Sequence, residues 1–225
     1  CAELLAHEKV DGALIPVIEY QRIAGGSLVP DVCVGSQKEV LSVVLVSKDT
    51  ELDQVRSVAL DESSRTSATL VKIIFREFLD VEPEWTVRTP NLAEMLEKND
   101  AALIIGDPGM TFPRTGLKIW DMANVWRTYT GLGFVFAMWM IADRSVERAR
   151  RVDFAGARDE GVAHIEEIVA EYEKKIPMPV SDLRKYLTEN IVFSVGESMK
   201  RGLELYFELA FKHGLIERVK PLRFV

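Results

Sequence analysis

The chain has 225 residues, 48% of them hydrophobic and 28% charged, with a formal net charge of -7. This composition excludes a disordered chain and suffices for one large domain or two small ones. The acidic balance argues against a nucleic-acid partner, because phosphate backbones select basic surfaces. An anionic small molecule would have to be gripped locally, by a few donors rather than by a global positive field.

Two cysteines, Cys1 and Cys33, make no framework and have no metal-ligand spacing, so a reduced cytosolic setting is the simpler reading. No apolar run approaches the ~20 residues that span a bilayer, and no membrane partner is expected. No signal-peptide pattern opens the chain. It lacks an initiator Met, and Cys1 already lies in a helical-looking stretch, so a fragment or processed product is expected.

In chain order, residues 1–9 read as the end of a helix and Ala13–Ile18 as a short buried strand, in which Pro16 suits an end position. After a Gly25-Gly26 turn, the β-branched run Val40–Val46 reads as a strand covered on both faces. Ser57–Leu60 is a further strand, followed by the polar loop Asp61–Ser64. An amphipathic helix comes next, with Leu70, Ile74 and Phe78 four apart and Val71 and Phe75 beside them. Asn91 with Glu94 forms a capping-box pattern. Ala101–Ile105 reads as a buried strand ending at Gly106-Asp107-Pro108-Gly109, and Phe134–Ile141 as another buried run. Helix is expected throughout from Arg144, with Val162, Ile165, Val169 and Tyr172 on one face. A last helix, Glu197–His213, is stopped by Gly214.

Strands alternate with helices over the first 140 residues, so an α/β fold with a mainly parallel sheet is expected. The runs Val40–Val46 and Phe134–Ile141 bracket a central block. If both are crossings, residues 1–41 with 140–225 make one lobe and residues 42–139 the other.

The densest local chemistry is Asp61-Glu62-Ser63-Ser64-Arg65-Thr66-Ser67, between a strand and a helix. Unpartnered N–H groups and the positive end of the macrodipole collect at a helix start. The hydroxyls of Ser64, Thr66 and Ser67 and the Arg65 guanidinium make the segment suit a carboxylate or phosphate. The competing expectation is plain capping by Ser63 or Ser64 with Arg65 solvated. Gly106 and Asp107 follow a buried strand, where open α/β sheets place ligand contacts, although on motif strength alone they form an Asp-Pro turn. Glu19 is a candidate general base or a structural hydrogen-bond partner. Thr130-Gly131 would line a cleft if it begins the second crossing. His7, His164 and His213 form no constellation, and Trp120, Trp126 and Trp139 read as core. No zinc, phosphate-loop or serine-hydrolase motif is present.

Taken together, Asp11–Tyr20, Val58-Ala59-Leu60 with Ser64-Arg65-Thr66-Ser67, Ile104–Asp107, and Trp126 with Thr130–Trp139 resemble chorismate dehydratase, the first enzyme of the futalosine route to menaquinone, over essentially the whole chain. The resemblance implies a two-lobed α/β fold similar to type II periplasmic solute-binding proteins, with mixed sheets and a ligand cleft between the lobes. It implies dehydration of chorismate, a dianion, to 3-[(1-carboxyvinyl)oxy]benzoate without a metal or organic cofactor. On these grounds the expected substrate contacts are Pro16, Ser36, Ser64, Arg65, Thr66, Ser67, Gly106, Asp107, Thr130 and Gly131, with Thr66 and Ser67 matching a ligand-contacting pair. A sister enzyme acting on cyclic dehypoxanthinyl futalosine carries His where this chain has Gly106, so the dehydratase is the better match. Family members begin with a strand and a Tyr-Leu-Asn loop whose Asn is implicated in catalysis. This chain starts after that loop, so part of the centre is expected before Cys1 and Glu19 only stands in as catalytic group. The alternative is a non-catalytic solute-binding protein for a small carboxylate, since fold alone does not decide function.

Overall fold

The structure, a computed structural model, describes all 225 residues. Helix α1 (Ala2–Ala6) leads into β1 (Gly12–Pro16), which stops at its proline as the missing ladder donor requires. The one-turn helix α2 (Glu19–Arg22) follows, then β2 (Ser27–Ser36), β3 (Val43–Ser47) and β4 (Ser57–Asp61). Helix α3 (Thr66–Ile73) continues as a π-helical turn (Ile74–Leu79) that ends on Asp80 with a left-handed backbone. Next come β5 (Glu84–Arg88), α4 (Leu92–Lys98), β6 (Ala101–Ile105), α5 (Asp107–Thr111), β7 (Lys118–Asp121), α6 (Met122–Thr130) and β8 (Phe134–Ile141). The final third holds α7 (Val146–Ala149), α8 (Phe154–Ala163), α9 (Ile165–Tyr172), α10 (Val180–Lys185) and α11 (Glu197–Lys212).

Two sheets result. One has three strands in the order β1-β8-β2, all antiparallel, and the other five in the order β5-β4-β6-β3-β7. The expectation of a mainly parallel sheet is corrected: only β5-β4-β6 is parallel, while β3 runs antiparallel to both β6 and β7. The reason lies in the connections. Strands β4, β5 and β6 are joined through α3 and α4, and helical crossovers return a strand parallel to its predecessor. Strand β3 enters from the other sheet and has no such constraint. Neither Val40–Val46 nor Phe134–Ile141 is a crossing, since neither spans both sheets, and the chain passes between them in residues 37–42 and 131–133.

The sheets share one core of 38 buried residues, which includes Ile15 and Met138 from the smaller sheet and Leu45 and Leu60 from the larger. Each such side chain contributes ~1.5–3 kcal/mol on burial. Leu70, Val71, Ile74 and Phe75 of the helix after β4 all join it, as their spacing predicts. Asn91 caps α4 by accepting from the Glu94 N–H, but the Glu94 carboxylate meets the Asn91 side-chain amide at 2.6 Å and the Asn91 N–H bonds to the Thr89 carbonyl, so only half of the expected box forms. Gly214 takes a left-handed backbone (φ 66°) after α11, and the Leu215 N–H closes back on the Ala210 carbonyl. The expected helix through Val162, Ile165, Val169 and Tyr172 is instead broken at His164, and of the four only Val169 is buried. Trp126 is fully buried as expected, whereas Trp120 and Trp139 are half-exposed. No helix is long and apolar enough to cross a membrane.

Candidate functional site

Three groups of residues carry the polar chemistry. The first joins the end of β1 to the start of α3. Asp61, buried at the end of β4, accepts from the Ser63 N–H (2.8 Å) and hydroxyl (2.7 Å), while its carbonyl accepts from the Ser64 N–H. Ser63 is thereby spent on the turn, and neither serine caps the helix. The Ser64 hydroxyl is buried and has no hydrogen-bond partner, an unusual condition for a polar group withdrawn from water. Thr66 accepts from the Ile18 N–H at 3.3 Å, and its carbonyl receives the Tyr206 hydroxyl at 3.0 Å. Ser67 is buried one residue further on.

Arg65 is not solvated. Its guanidinium donates to Glu19 Oε2 at 2.9 Å and to Glu3 Oε1 at 2.8 Å. Partial burial works against its charge, but the two carboxylates outweigh that and raise its pKa. Glu19 is itself buried, its other oxygen accepting from Arg22 at 2.8 Å. Both Glu19 oxygens are therefore engaged by guanidinium groups. Pro16, half-buried at the end of β1, pairs with Ala137.

The second group lies where the chain passes between sheets. Ser36 donates to the Glu39 carbonyl at 2.9 Å and accepts from the Lys38 N–H, so its hydroxyl shapes the turn. Asp121 accepts from the N–H groups of Val40 and Leu41 and also caps α6 through Ala123 and Asn124. Burial pushes its carboxyl pKa up against these four bonds. Thr130 donates to the Trp126 carbonyl and accepts from the Leu132 N–H, which closes α6, and Gly131 is the left-handed residue after it. The third group is the start of α5. Gly106 donates to the Ser42 carbonyl at 2.7 Å, and Asp107 is the exposed first residue of the helix. Gly106 has φ +67°, and a Cβ added there, or at Gly131, would meet nothing within 4 Å, so both glycines face open space. A side chain at 106 would have room but an unfavourable backbone.

The first group thus brings Pro16, Glu19, Ser64, Arg65, Thr66 and Ser67 together. It connects to the α6 end through Trp126, whose ring meets Tyr206 edge-on at 6.5 Å while the Tyr206 hydroxyl holds Thr66. The groups around Ser36 and Gly106 are joined through the stretch Ser36–Ser42. None of these residues lines the apolar groove of about 390 Å³ between Leu14, Cys33, Trp139, Phe154 and Val162. Sequence reasoning missed Glu3, Arg22, Asp121 and Tyr206. Each is distant in the chain from its partner or carries no local pattern, and Asp121 alone had a cue, as an Asp before a helix. The histidines bond to backbone or carboxylates of nearby helices: His7 to Glu3, His164 to Glu160, and His213 to Glu77.

A family model described as menaquinone biosynthesis matches residues 1–212. A chorismate dehydratase of Thermus thermophilus is 28% identical, covering 80% of this chain and 72% of that protein. One of Campylobacter jejuni is 27% identical over 203 residues, covering 90% and 76%. Among solved structures, protein AF1704 from Archaeoglobus fulgidus is similar with a TM-score of 0.72 at 21% identity, over 96% of this chain and 83% of that one. The periplasmic aliphatic sulphonate binding protein SsuA from Escherichia coli is similar with a TM-score of 0.59 at 15% identity, over 99% and 80%. The fold is the two-lobed α/β fold of periplasmic solute-binding proteins, and the chain belongs to the menaquinone biosynthesis family.

Proposed function

We propose that this protein is a chorismate dehydratase, converting chorismate to 3-[(1-carboxyvinyl)oxy]benzoate and water. The observation that carries the reading is the start of α3, where a buried Ser64 hydroxyl without a partner stands beside Arg65, Thr66 and Ser67. A dianionic substrate would be held there by the guanidinium and by hydroxyl donors, of which Thr66 is already fixed in position by its bond from Ile18. The Thr66 oxygen accepts from Ile18, which leaves its proton free to be donated to a ligand oxygen. Glu19 holds Arg65 in place from a buried position. Pro16 and Ser36, with Gly106, Asp107, Thr130 and Gly131 at the passage between lobes, form the rest of the proposed contact surface.

The reaction needs little from the protein beyond orientation and one proton transfer. The ring hydroxyl departs with its bonding pair, a ring proton leaves, and the electron pair of that C–H bond completes the aromatic ring. The leaving hydroxide takes up a proton, so one water forms and no oxidant or reductant is consumed. Aromatisation supplies the driving force, and holding the reactant by both carboxylates supplies the positioning. The Thermus and Campylobacter relatives carry the same activity in their names, which supports the assignment. Incubation with chorismate, followed by ultraviolet absorbance for an aromatic product, tests it. Tight binding without turnover would support a solute-binding protein instead.

A further inference from the structure

Helix α2 is a single turn, Glu19–Arg22, and a helix that short cannot hold itself together. Its internal support is limited to local bonds such as the Ile23 N–H to the Glu19 carbonyl at 2.8 Å. Tertiary support comes from Arg65, which bonds Glu19, from Phe207 of α11, whose ring stacks on Tyr20 at 6.4 Å, and from the last residues of the chain. The Tyr20 hydroxyl donates to the Pro221 carbonyl at 2.6 Å and accepts from the Arg223 N–H at 3.0 Å. Gln21 and Lys220 exchange two bonds, Gln21 Nε2 to the Lys220 carbonyl at 3.1 Å and the Lys220 N–H to Gln21 Oε1 at 2.6 Å.

The Lys220 ammonium then closes the end of the turn. It has three N–H donors, and three carbonyls receive them: Tyr20 at 3.2 Å, Ile23 at 3.3 Å, and Gly25. The Tyr20 and Ile23 carbonyls belong to the last turn and cap of α2, which a helix end leaves without partners, and Gly25 lies in the turn that follows. The same ammonium sits 4.0 Å from the centre of the Tyr20 ring, a favourable cation–π distance. Beyond it the tail is tied to the start of β2, with the Leu28 N–H bonded to the Arg223 carbonyl at 2.8 Å and the Val225 N–H to the Leu28 carbonyl at 3.0 Å.

We propose that Lys220 is a positioning residue for the Glu19–Arg65 pair, clasping α2 so that Glu19 presents Arg65 to the substrate. The clasp rests on the site reading given above for Arg65. Lys220 touches neither Arg65 nor any reacting atom, so it acts through the orientation of α2 alone. Its loss then weakens substrate capture more than the chemical step.

The test uses Lys220→Met, Lys220→Arg, Arg65→Ala and the Arg65→Ala/Lys220→Met double variant. It measures steady-state turnover of chorismate and amide hydrogen exchange across residues 19–23. Lys220→Met is expected to raise KM about fivefold or more with kcat within about twofold, and to quicken exchange of that segment. Lys220→Arg, which keeps the charge but replaces the compact ammonium with a larger planar group, restores both in part. On the Arg65→Ala background Lys220→Met adds less than about twofold, because the two act as one unit. Gln21→Leu, which cuts the other half of the clasp, serves if Lys220→Met fails to fold, with the same KM rise expected. An unchanged KM, or a Lys220→Met effect that multiplies independently with that of Arg65→Ala, overturns the proposal. If the wild-type protein does not turn over chorismate, the site reading fails separately. The clasp is then judged by exchange, and unchanged protection of residues 19–23 in Lys220→Met overturns it.

Discussion

Replacing Thr66 by Val tests the first group of site residues at two levels. Thr66 is 3% exposed, and Val has nearly its shape, so packing is preserved while the hydroxyl is lost. The Ile18 N–H, bonded to that hydroxyl at 3.3 Å, is left buried without an acceptor, which costs ~1–3 kcal/mol. Because 3.3 Å is at the long end for such a bond, about 1 kcal/mol is expected. In a chain of this size that lowers Tm by roughly 2–4 °C. The same hydroxyl is proposed to donate to a substrate oxygen, so chorismate affinity should also fall about tenfold, or ~1.4 kcal/mol. Urea titration measures the first effect and calorimetric titration with chorismate the second, with Thr66→Ser expected to recover most of both. A variant that loses stability but binds chorismate unchanged would reduce Thr66 to a structural link between β1 and α3. One that loses neither would show that the Thr66 hydroxyl contributes to neither stability nor binding.

Gly202 of α11 faces the Gly133 carbonyl so closely that an added Cβ would lie 2.1 Å from that oxygen. Gly202→Ala should therefore destabilise by ~1–3 kcal/mol through forced backbone movement, and denaturant titration showing no loss would contradict the packing. Cys1 is exposed whereas Cys33 is buried, its thiol pushed up to about 12 by burial. A thiol reagent at pH 8 should modify one cysteine in the native protein and both after unfolding; rapid native labelling of both would disprove the burial of Cys33. Glu82 is held at about 2, chiefly by the Arg76 guanidinium with the Trp85 N–H assisting. A folded pKa below the unfolded one gives stability that is present above about 4.5 and lost as pH falls towards 2. Glu82 is half-exposed, so the gain stays within about 1 kcal/mol. The stability difference between wild type and Glu82→Gln should shrink from pH 5 to pH 2, and a pH-independent difference would count against the ion pair.

Much of the fold is legible because local rules and tertiary demands agree. The β-branched run ending at Val46, the helix carrying Leu70 and Ile74, the Asn91 cap and the Gly214 stop all follow local chemistry. Strand β2 does not, because Pro30, the left-handed Asp31 (φ 57°) and Gly35 interrupt its pattern, and its pairing with β8 shifts register there. The antiparallel β3 is equally hidden, since strand direction depends on how the chain enters the sheet. At the site, the hydroxyl cluster from Ser63 to Ser67 is visible as a motif. What each member does is not: Ser63 serves Asp61, Ser64 is left without a partner, and Arg65 is taken by carboxylates 46 and 62 positions away. Tyr206 and Lys220, which brace Thr66 and α2, come from the far end of the chain and leave no trace near their targets.

The central claim is that the start of α3 grips chorismate for dehydration. The most direct measurement is turnover of chorismate by the purified protein, compared with Arg65→Ala. An aromatic product is expected with chorismate consumed in equal amount, together with a loss of about tenfold or more in kcat/KM on replacing Arg65. Absence of an aromatic product, or full activity without Arg65, would contradict the claim.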